Sequence, residues 1–165
     1  PVVVIVGDSL VKNVQGWKVS NSKRIKTVVK AFPGASVEDM FDYIKPTIKR
    51  HPEEIVLHVG TNDLKNSDSR KVAERIVDLG NFIEAESPET KVTISNLLLR
   101  TDDPALNSKT EQVNNILRTF AHQNDWNIIS HSNVTRNHLN SSGLHLNLTG
   151  NKVFASNFVS YVRNI

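Results

Sequence analysis

A serine and a histidine at opposite ends of the sequence have the side chains that acyl transfer requires. Ser9 lies in the segment VVVIVGDSLVKN, directly after an apolar run, and His145 lies in the segment SGLHLN. A serine hydroxyl is a weak nucleophile that needs a base within hydrogen-bond reach, and the imidazole of His145 would provide one. Taken alone, Ser9 is better explained as the cap of a helix that begins there. Residues elsewhere in the chain must therefore decide between a cap and a nucleophile.

Ester hydrolysis also requires hydrogen-bond donors for the negative oxygen of the tetrahedral intermediate. Three candidate donors are the backbone N–H groups of Ser9 and Gly34 and the side-chain amide of Asn62. A glycine without a Cβ lets a substrate approach the backbone closely. The start of the helix predicted after Ser9 would add a favourable dipole for the developing charge. These donors, together with Ser9 and His145, predict an acyl-transfer site if the fold brings them together.

Strand and helix patterns alternate along the chain and indicate how these residues are positioned. Residues 2–6 form a continuous β-branched run, and further strands are predicted at 25–32, 55–59, 92–94 and 126–129. One helix is predicted to begin with a capping box of Ser36 and Asp39 and to break near Pro46, and Thr149 is predicted to cap the last helix. Strands that alternate with helices predict a sheet covered on both faces, a three-layer αβα sandwich.

Polar or glycine-containing segments follow several of the predicted strands. In sequence order they are GDSL with Ser9, PGAS with Gly34, GTND with Asn62 and, after the fifth strand, GLHLN with His145. In open parallel sheets, ligands bind at the carboxyl ends of the strands near a topological switch point. Because parallel strands end at the same edge of a sheet, we expect these segments to meet there.

These segments resemble the sequence blocks of the SGNH hydrolase (GDSL esterase/lipase) superfamily, and they occur in that superfamily's order. The resemblance implies a flavodoxin-like sheet of five mostly parallel strands, with Ser9 as the nucleophile and His145 as the base. It further implies an oxyanion hole formed by the N–H groups of Ser9 and Gly34 and the amide of Asn62. The implied activity is hydrolysis of short acyl esters, such as acetyl esters, through an acyl-enzyme and without a cofactor.

Longer segments resemble a narrower group, the esterase domain in the first-open-reading-frame protein of certain LINE retrotransposons. These segments are GDSLVKNVQGWK, FPGASVEDM, LHVGTNDL and GLHLNLTGNKVF. In that group the domain follows a coiled-coil region and accompanies an RNA-handling protein. The resemblance implies oligomerisation through a coiled coil outside this sequence and RNA association through other parts of the full-length protein. We expect the substrate to be a small acyl ester or a lipid. Contact of the domain with a membrane surface remains an open alternative.

One position departs from the superfamily's pattern. The superfamily places an aspartate three residues before the histidine, where this sequence has Ser142, and no acidic residue follows Asp125. The usual acid orients the imidazole and stabilises the imidazolium. A serine oxygen can accept a hydrogen bond from an imidazole, and so can a main-chain carbonyl. We therefore predict a Ser9–His145 dyad oriented by Ser142 or by the backbone, in an enzyme that is slow rather than inactive.

Several other side chains have two explanations at this stage. Asp102 and Asp103 follow the fourth predicted strand, and either would be an alternative to the missing acid. Trp17 either covers one side of the acyl pocket, as a substrate-binding residue, or packs within the fold. A basic stretch either contacts nucleic acid or anionic lipid headgroups or forms a solvated face, and its members are Lys18, Lys23, Arg24, Lys26 and Lys30.

Composition limits these hypotheses. The 165 residues, 38% apolar and 22% charged, are typical of a single domain over residues 1–165, which we expect to be part of a longer chain. The formal net charge of +3 is small for a nucleic-acid-binding domain, and no side-chain cluster has metal-ligand spacing. The apolar runs are too short to span a bilayer and no signal peptide is visible, so we expect a cytoplasmic location. The alternative function, favoured by the missing acid, is a weak or inactive module that binds lipid, membrane or RNA-associated partners.

Overall fold

The computed structural model describes residues 1–20 and 24–165, which include a five-stranded sheet. Its strands are β1 (Val2–Gly7), β2 (Lys26–Ala31), β3 (Glu54–His58), β4 (Lys91–Ser95) and β5 (Asn127–Ile129). They lie in the order β2-β1-β3-β4-β5, and each neighbouring pair is parallel. This is the flavodoxin-like order, so the predicted sheet is confirmed.

Helices cover both faces of this sheet. They are α1 (Gly16–Val19), α2 (Val37–Tyr43), α3 (Lys45–Ile48), α4 (Ser69–Glu86), α5 (Pro104–Asn124) and α6 (Leu148–Arg163). Successive side chains of β1 point to opposite faces, so Val4 belongs to one apolar core with Met40 of α2, while Val3 belongs to a second core with Phe154 of α6. Two apolar cores separated by one sheet make the predicted three-layer αβα sandwich. Among the described helices, none is both long enough and apolar enough to cross a membrane.

Local sequence signals set several helix ends. Ser36 caps α2, and both hydrogen bonds of its capping box with Asp39 are formed at 3.1 Å. Pro46 lies in the first turn of α3, where it ends the preceding helix without losing a hydrogen bond. The predicted Thr149 cap is wrong, because Asn147 caps α6 and its Oδ1 accepts the N–H of the third helical residue at 2.8 Å. Asparagine is as strong a cap as any residue type and precedes Thr149 by two positions.

The strand register brings the segments with candidate site residues to one edge of the sheet. Gly7, the last residue of β1, pairs with Ala31 of β2 and with His58 of β3. These strands therefore end level, and the segments that follow them begin side by side. Residues Ser9–Val11 and Thr61–Asp63 each form a short 3-10 turn soon after a strand ends. The candidate site residues of β1, β2 and β3 thus start from neighbouring positions.

The basic stretch is mostly solvent-facing where the structure describes it. Lys18, Arg24 and Lys26 are exposed, whereas Lys23 lies outside the described residues. Lys30 is half-buried, and its Nζ donates to Thr47 Oγ1 at 2.9 Å. The solvated-face explanation fits the three exposed side chains.

Candidate active site

Ser9 begins the 3-10 turn that follows β1, but its side chain does not cap that turn. The cap is Asp8, whose Oδ1 accepts the N–H of Leu10 at 3.0 Å. Within the described residues, neither the hydroxyl nor the N–H of Ser9 has a hydrogen-bond partner in the protein. Ser9 is half-buried and lines a pocket of about 260 Å³. The capping explanation for Ser9 is therefore wrong, and its hydroxyl is available for chemistry.

Asp8 is the structural acceptor of this turn, and it is deeply buried. Its side chain is 1% exposed, and its Oδ2 has no hydrogen-bond partner among the described residues. Loss of solvation raises the pKa of Asp8 to about 6, although the N–H of Leu10 acts in the opposite direction. The negative charge of Asp63 adds to the rise. The turn that presents Ser9 thus depends on a carboxyl group that is costly to ionise.

His145 lies in a tight turn before α6 and lines the same pocket as Ser9. Its carbonyl accepts the N–H of Asn140 at 2.8 Å, and the Asn140 carbonyl accepts the N–H of Gly143 at 3.0 Å. The N–H of Thr101 donates to the Gly143 carbonyl at 2.7 Å and so ties the turn to the segment after β4. Gly143 has a φ of +70°, and a Cβ there would stand 2.7 Å from Thr101 Oγ1. Main-chain contacts therefore fix the backbone that carries the imidazole.

Ser142, which stands where the superfamily has its acid, contacts the main chain of His145 and not its ring. The Ser142 hydroxyl accepts the N–H groups of Leu144 and His145, each at 3.2 Å, and donates to Oδ1 of Asn140. Within the described residues, the ring nitrogens of His145 have no hydrogen-bond partner in the protein. Any effect of Ser142 on the imidazole must therefore pass through the backbone of this turn.

The acidic residues after β4 are committed to other partners. Asp102 accepts Nε and Nη2 of the buried Arg100 at 2.8 and 2.7 Å, and this guanidinium lowers the pKa of Asp102. Asp103 caps α5, and its Oδ1 accepts the N–H groups of Ala105 and Leu106. Neither carboxylate hydrogen-bonds to the imidazole of His145, so the structure gives neither one the place of the missing acid.

Gly34 and Asn62 follow β2 and β3, and both retain hydrogen-bond donors. Gly34 has a φ of +78°, and no atom lies within 4 Å of the position that a Cβ would take. Its N–H has no partner in the protein within the described residues. Asn62 Nδ2 donates to the carbonyl of Ala35 at 3.0 Å, which ties the two loops together. A carboxamide has two N–H groups, so Asn62 keeps one for a ligand.

The helix dipole expected after Ser9 has little support in the structure. The turn that begins at Ser9 is a 3-10 segment of three residues, not an α-helix. A macrodipole needs aligned peptide units over several turns. Stabilisation of a negative oxygen must therefore come from the individual N–H groups of Ser9, Gly34 and Asn62.

Comparison with known families identifies the class of protein to which this arrangement belongs. A family model described as the GDSL-like lipase/acylhydrolase family matches residues 5–153. The chain belongs to this family. The match includes the segments of Ser9, Gly34, Asn62 and His145, and membership makes this GDSL protein a hydrolytic serine esterase. No curated protein sequence matches it significantly.

Solved structures of low sequence identity share the fold of this GDSL hydrolase. A lipase/acylhydrolase from Enterococcus faecalis is 16% identical with a TM-score of 0.82, over 99% of this chain and 95% of that one. A member of the lipolytic protein G-D-S-L family from Veillonella parvula is 19% identical with a TM-score of 0.84, over 99% of both chains. The acetyl xylan esterase AlAXEase is 16% identical with a TM-score of 0.83, over 98% and 100%. These similarities confirm the predicted fold over nearly the whole chain.

The pocket of this GDSL hydrolase has polar walls that sequence reasoning missed. Besides Ser9 and His145, the pocket is lined by Leu10, Lys12, Asn13, Asn140, Leu146 and Asn151. The only available signal was that these residues lie close in sequence to the GDSL and GLHLN segments. Periodicity and spacing do not show which of their side chains face the nucleophile.

Trp17 does not line this pocket, so the expectation that it covers one side of the acyl site stays a prediction. Its side chain is 74% exposed on the short helix α1, and the Lys18 ammonium lies 5.2 Å from its ring centre. A residue on a four-residue helix has few neighbouring side chains to pack against, and this one faces solvent. The alternative explanation, a packing role, is wrong for this reason.

Two buried histidines lie at the carboxyl edge, beside the site. A hydroxyl links their rings, because Ser95 Oγ lies 2.8 Å from His58 Nδ1 and 2.7 Å from His131 Nε2. Desolvation lowers the pKa of His58 to about 4 and also lowers the pKa of His131. Both rings are therefore neutral at physiological pH. The described residues contain no group of three or more side chains that could hold a metal ion.

Proposed function

We propose that this GDSL hydrolase removes short acyl groups from esters through a Ser9–His145 dyad and an acyl-enzyme. One observation carries the proposal: Ser9 and His145, which are 136 positions apart in the chain, line the same small pocket. The unpaired donors at Ser9, Gly34 and Asn62 support it, because they start from neighbouring strand ends. No cofactor is needed for this chemistry.

The proposed reaction begins when His145 takes the proton of the Ser9 hydroxyl. Ser9 Oγ then bonds to the carbonyl carbon of the ester, and the carbonyl oxygen becomes an oxyanion that the three donors stabilise. The bond between the carbonyl carbon and the alcohol oxygen breaks, and His145 returns its proton to the leaving alcohol. Water hydrolyses the acyl-enzyme by the same steps. Catalytic hydrogen bonds often tighten only when substrate binds, which accounts for the unpaired Ser9 hydroxyl.

A short acyl group fits the surroundings of Gly34. The space above this glycine is open, since no atom lies within 4 Å of a Cβ placed there. This open space leaves room for the carbonyl of a small acyl group to approach the Gly34 N–H.

Hydrolysis of p-nitrophenyl acetate by the purified protein tests the proposal. We expect Ser9→Ala to lower kcat by about 10³-fold or more, because the nucleophile is lost. Ser141→Ala is the matched control, since Ser141 is exposed and lies outside the pocket. Activity that is equal in both variants would show that Ser9 is not the nucleophile. Activity that survives in His145→Ala would show that another base operates.

A second candidate function is a binding module that retains the fold without efficient chemistry. It is favoured by one observation, the absence of a protein acceptor for the His145 ring within the described residues. Such a module would hold a lipid or an RNA-associated partner. A fluorophosphonate probe separates the two functions, because an activated serine is labelled and Ser9 of a binding module is not. Labelling that disappears in Ser9→Ala supports the esterase.

We also propose, from the longer segments quoted above, that the domain is part of a retrotransposon-encoded protein. In that setting, RNA association and oligomerisation would come from other parts of the full-length chain. The sequence of the encoding transcript tests this proposal. A coiled-coil region encoded upstream of the domain in the same reading frame would support it, and an unrelated upstream domain would contradict it.

A further inference from the structure

The loop that contains Gly34 is a tight turn between β2 and α2. The N–H of Ala35 donates to the carbonyl of Phe32 at 3.0 Å, with Pro33 and Gly34 between them. The φ of +78° at Gly34 and the proline before it are those of a type II turn. The N–H of Gly34 belongs to the central peptide of this turn, and that peptide faces opposite ways in type I and type II turns. The direction of this donor therefore depends on how the two ends of the turn are held.

The sheet holds the first end of the turn. The N–H of Phe32 donates to the carbonyl of Gly7 at 2.8 Å. Gly7 is the last residue of β1 and comes shortly before the 3-10 turn that begins at Ser9. The first end of the Gly34 turn is thus fixed to the strand that leads to the nucleophile.

Two adjacent side chains from the loop after β3 hold the second end. Asn62 Nδ2 donates to the carbonyl of Ala35 at 3.0 Å. Both carboxylate oxygens of Asp63 accept the N–H of Val37, at 3.1 and 3.3 Å. Within the described residues, the Asp63 side chain has no other hydrogen-bond partner. Asn62 also has a donor for the oxyanion, whereas Asp63 serves only to join the two loops.

Helix α2 has a cap of its own besides Asp63. Val37 is the first residue of α2, and its N–H is one of those that have no partner inside a helix. Ser36 and Asp39 already form a capping box at this end, with both hydrogen bonds at 3.1 Å. Asp63 lies 26 positions from Val37 in the chain, so what it adds is a contact between segments that follow different strands.

We propose that Asp63 is a positioning residue of the oxyanion hole, which holds the Gly34 turn in the form that leaves the Gly34 N–H free for the substrate oxygen. The inference rests on the proposed esterase function and adds a residue that acts only through Gly34. Without the Asp63 contact, the second end of the turn keeps only its bond to Asn62. The central peptide then has more freedom to turn over, and the Gly34 donor is misplaced in a larger fraction of molecules.

Hydrolysis of p-nitrophenyl acetate tests this role. We expect Asp63→Ala to lower kcat by about tenfold, less than the ~10²-fold cost of removing a donor outright, and to change KM by no more than about twofold. Asp63→Asn has the same shape, and its Oδ1 can still accept the N–H of Val37, so it should recover most of the lost kcat. An Asp63→Asn variant as slow as Asp63→Ala would overturn the proposal.

Asp39→Ala is the matched control for the stability of α2. Asp39 is an exposed aspartate that accepts an N–H at the same end of this helix, but its bond lies within the helix end and does not reach the loop after β3. The control should lower the urea midpoint about as much as Asp63→Ala does and leave kcat within about twofold of the unmodified protein. Equal losses of kcat in the two variants would show that Asp63 only stabilises α2, which would overturn the inference.

Inhibition by 1,1,1-trifluoroacetone gives a readout that helix stability does not change. Its tetrahedral adduct with Ser9 carries a negative oxygen, so the inhibition constant should rise in Asp63→Ala by about the factor by which kcat falls. An unchanged inhibition constant would overturn the proposal. If the unmodified protein hydrolyses no ester and a fluorophosphonate leaves Ser9 unlabelled, the esterase function fails and this inference with it, which is a distinguishable result.

Discussion

The hydroxyl of Ser142 accepts the backbone N–H of His145 at 3.2 Å. In SGNH hydrolases, the position of Ser142 supplies an acid for the ring of the catalytic histidine. Here it supplies a fixed turn, because the same hydroxyl also accepts the N–H of Leu144 and donates to Asn140. The imidazole is therefore placed by its main chain, and among the residues that the structure describes none accepts a hydrogen bond from its ring to stabilise the protonated form. This relationship predicts a working but slow dyad.

Substitution of Ser142 separates these two roles. Ser142→Ala removes the acceptor for two N–H groups and should lower the free energy of unfolding by about 1 kcal/mol and kcat by a few-fold. Ser142→Asp keeps an acceptor for the N–H groups and adds a carboxylate near the ring. We expect it to raise kcat by about tenfold and to move the acidic limb of the pH–rate profile to higher pH, because a carboxylate stabilises the imidazolium. Stopped-flow or spectrophotometric assays of p-nitrophenyl acetate across pH measure both effects. A lower kcat in Ser142→Asp than in Ser142→Ala would contradict the interpretation.

Asn62 is expected to act on the oxyanion and not on the ground state of the ester. Asn62→Ala should lower kcat by about 10²-fold and change KM little, because one preorganised donor is lost. Asn62→Asp has the same shape but presents a negative acceptor, so it should be the slower of the two. Steady-state kinetics on p-nitrophenyl acetate distinguish the parameters. A change confined to KM would assign Asn62 to substrate binding alone.

Asp8 should make the protein less stable at alkaline pH than it would otherwise be. Its pKa of about 6 in the folded state exceeds the ordinary pKa of an aspartate, 3.8, so the cost of its buried charge is fully present above pH 6. That cost is relieved as the pH falls through 6 toward 3.8. Asp8→Asn keeps the acceptor for Leu10 and removes the charge, so it should raise the free energy of unfolding by roughly 2 to 3 kcal/mol at about pH 8 and little at about pH 4.

Urea denaturation of the Asp8→Asn variant at the two pH values measures this difference. Asp68→Asn is the matched control, since Asp68 also caps a helix through its side chain but is exposed. An equal rise in the free energy of unfolding in both variants would show that the effect comes from the loss of a surface charge and not from the burial of Asp8.

His58 should produce the opposite pH dependence. Its folded-state pKa of about 4 is below the ordinary pKa of a histidine, 6.5, so the unfolded chain binds protons more readily between these values. Stability that is fully present above pH 6.5 is therefore lost as the pH falls, by up to about 1.4 kcal/mol per pH unit for each such histidine. His131, in which burial also lowers the pKa, should add to this loss.

Replacement of His58 isolates its contribution. In an Asp8→Asn background, where the opposing carboxyl is removed, His58→Gln should flatten the decline in urea midpoint between about pH 6.5 and pH 4.5. His122→Gln is the control, because His122 is exposed on α5. An unchanged slope in His58→Gln would show that other groups control acid unfolding.

The strands and helix caps could be predicted from the sequence where local patterns determine them, whereas the flavodoxin-like strand order and the candidate nucleophile followed from the resemblance to the SGNH superfamily. A β-branched run such as residues 2–6 is compatible with little other than a buried strand, and the capping box of Ser36 is a contact within one turn. The Thr149 cap was mispredicted because Asn147 and Thr149 are both good caps, and only backbone geometry chooses between them. The packing alternative for Trp17 was wrong because nothing local shows whether an aromatic side chain has a neighbour to pack against.

The sequence by itself determined the parallel αβα fold, the family and the identity of Ser9, Gly34, Asn62 and His145 as the candidate site. Only the tertiary structure decided that Asp8 and not Ser9 caps the first turn, that Ser142 contacts the backbone of His145, and that Asp102 is paired with Arg100. It also decided that Lys12, Asn13, Asn140 and Asn151 share the pocket of the nucleophile. The physical reason is range: helix, strand and cap signals act within a few residues, whereas hydrogen-bond partners and pocket walls depend on segments that only the folded sheet brings together.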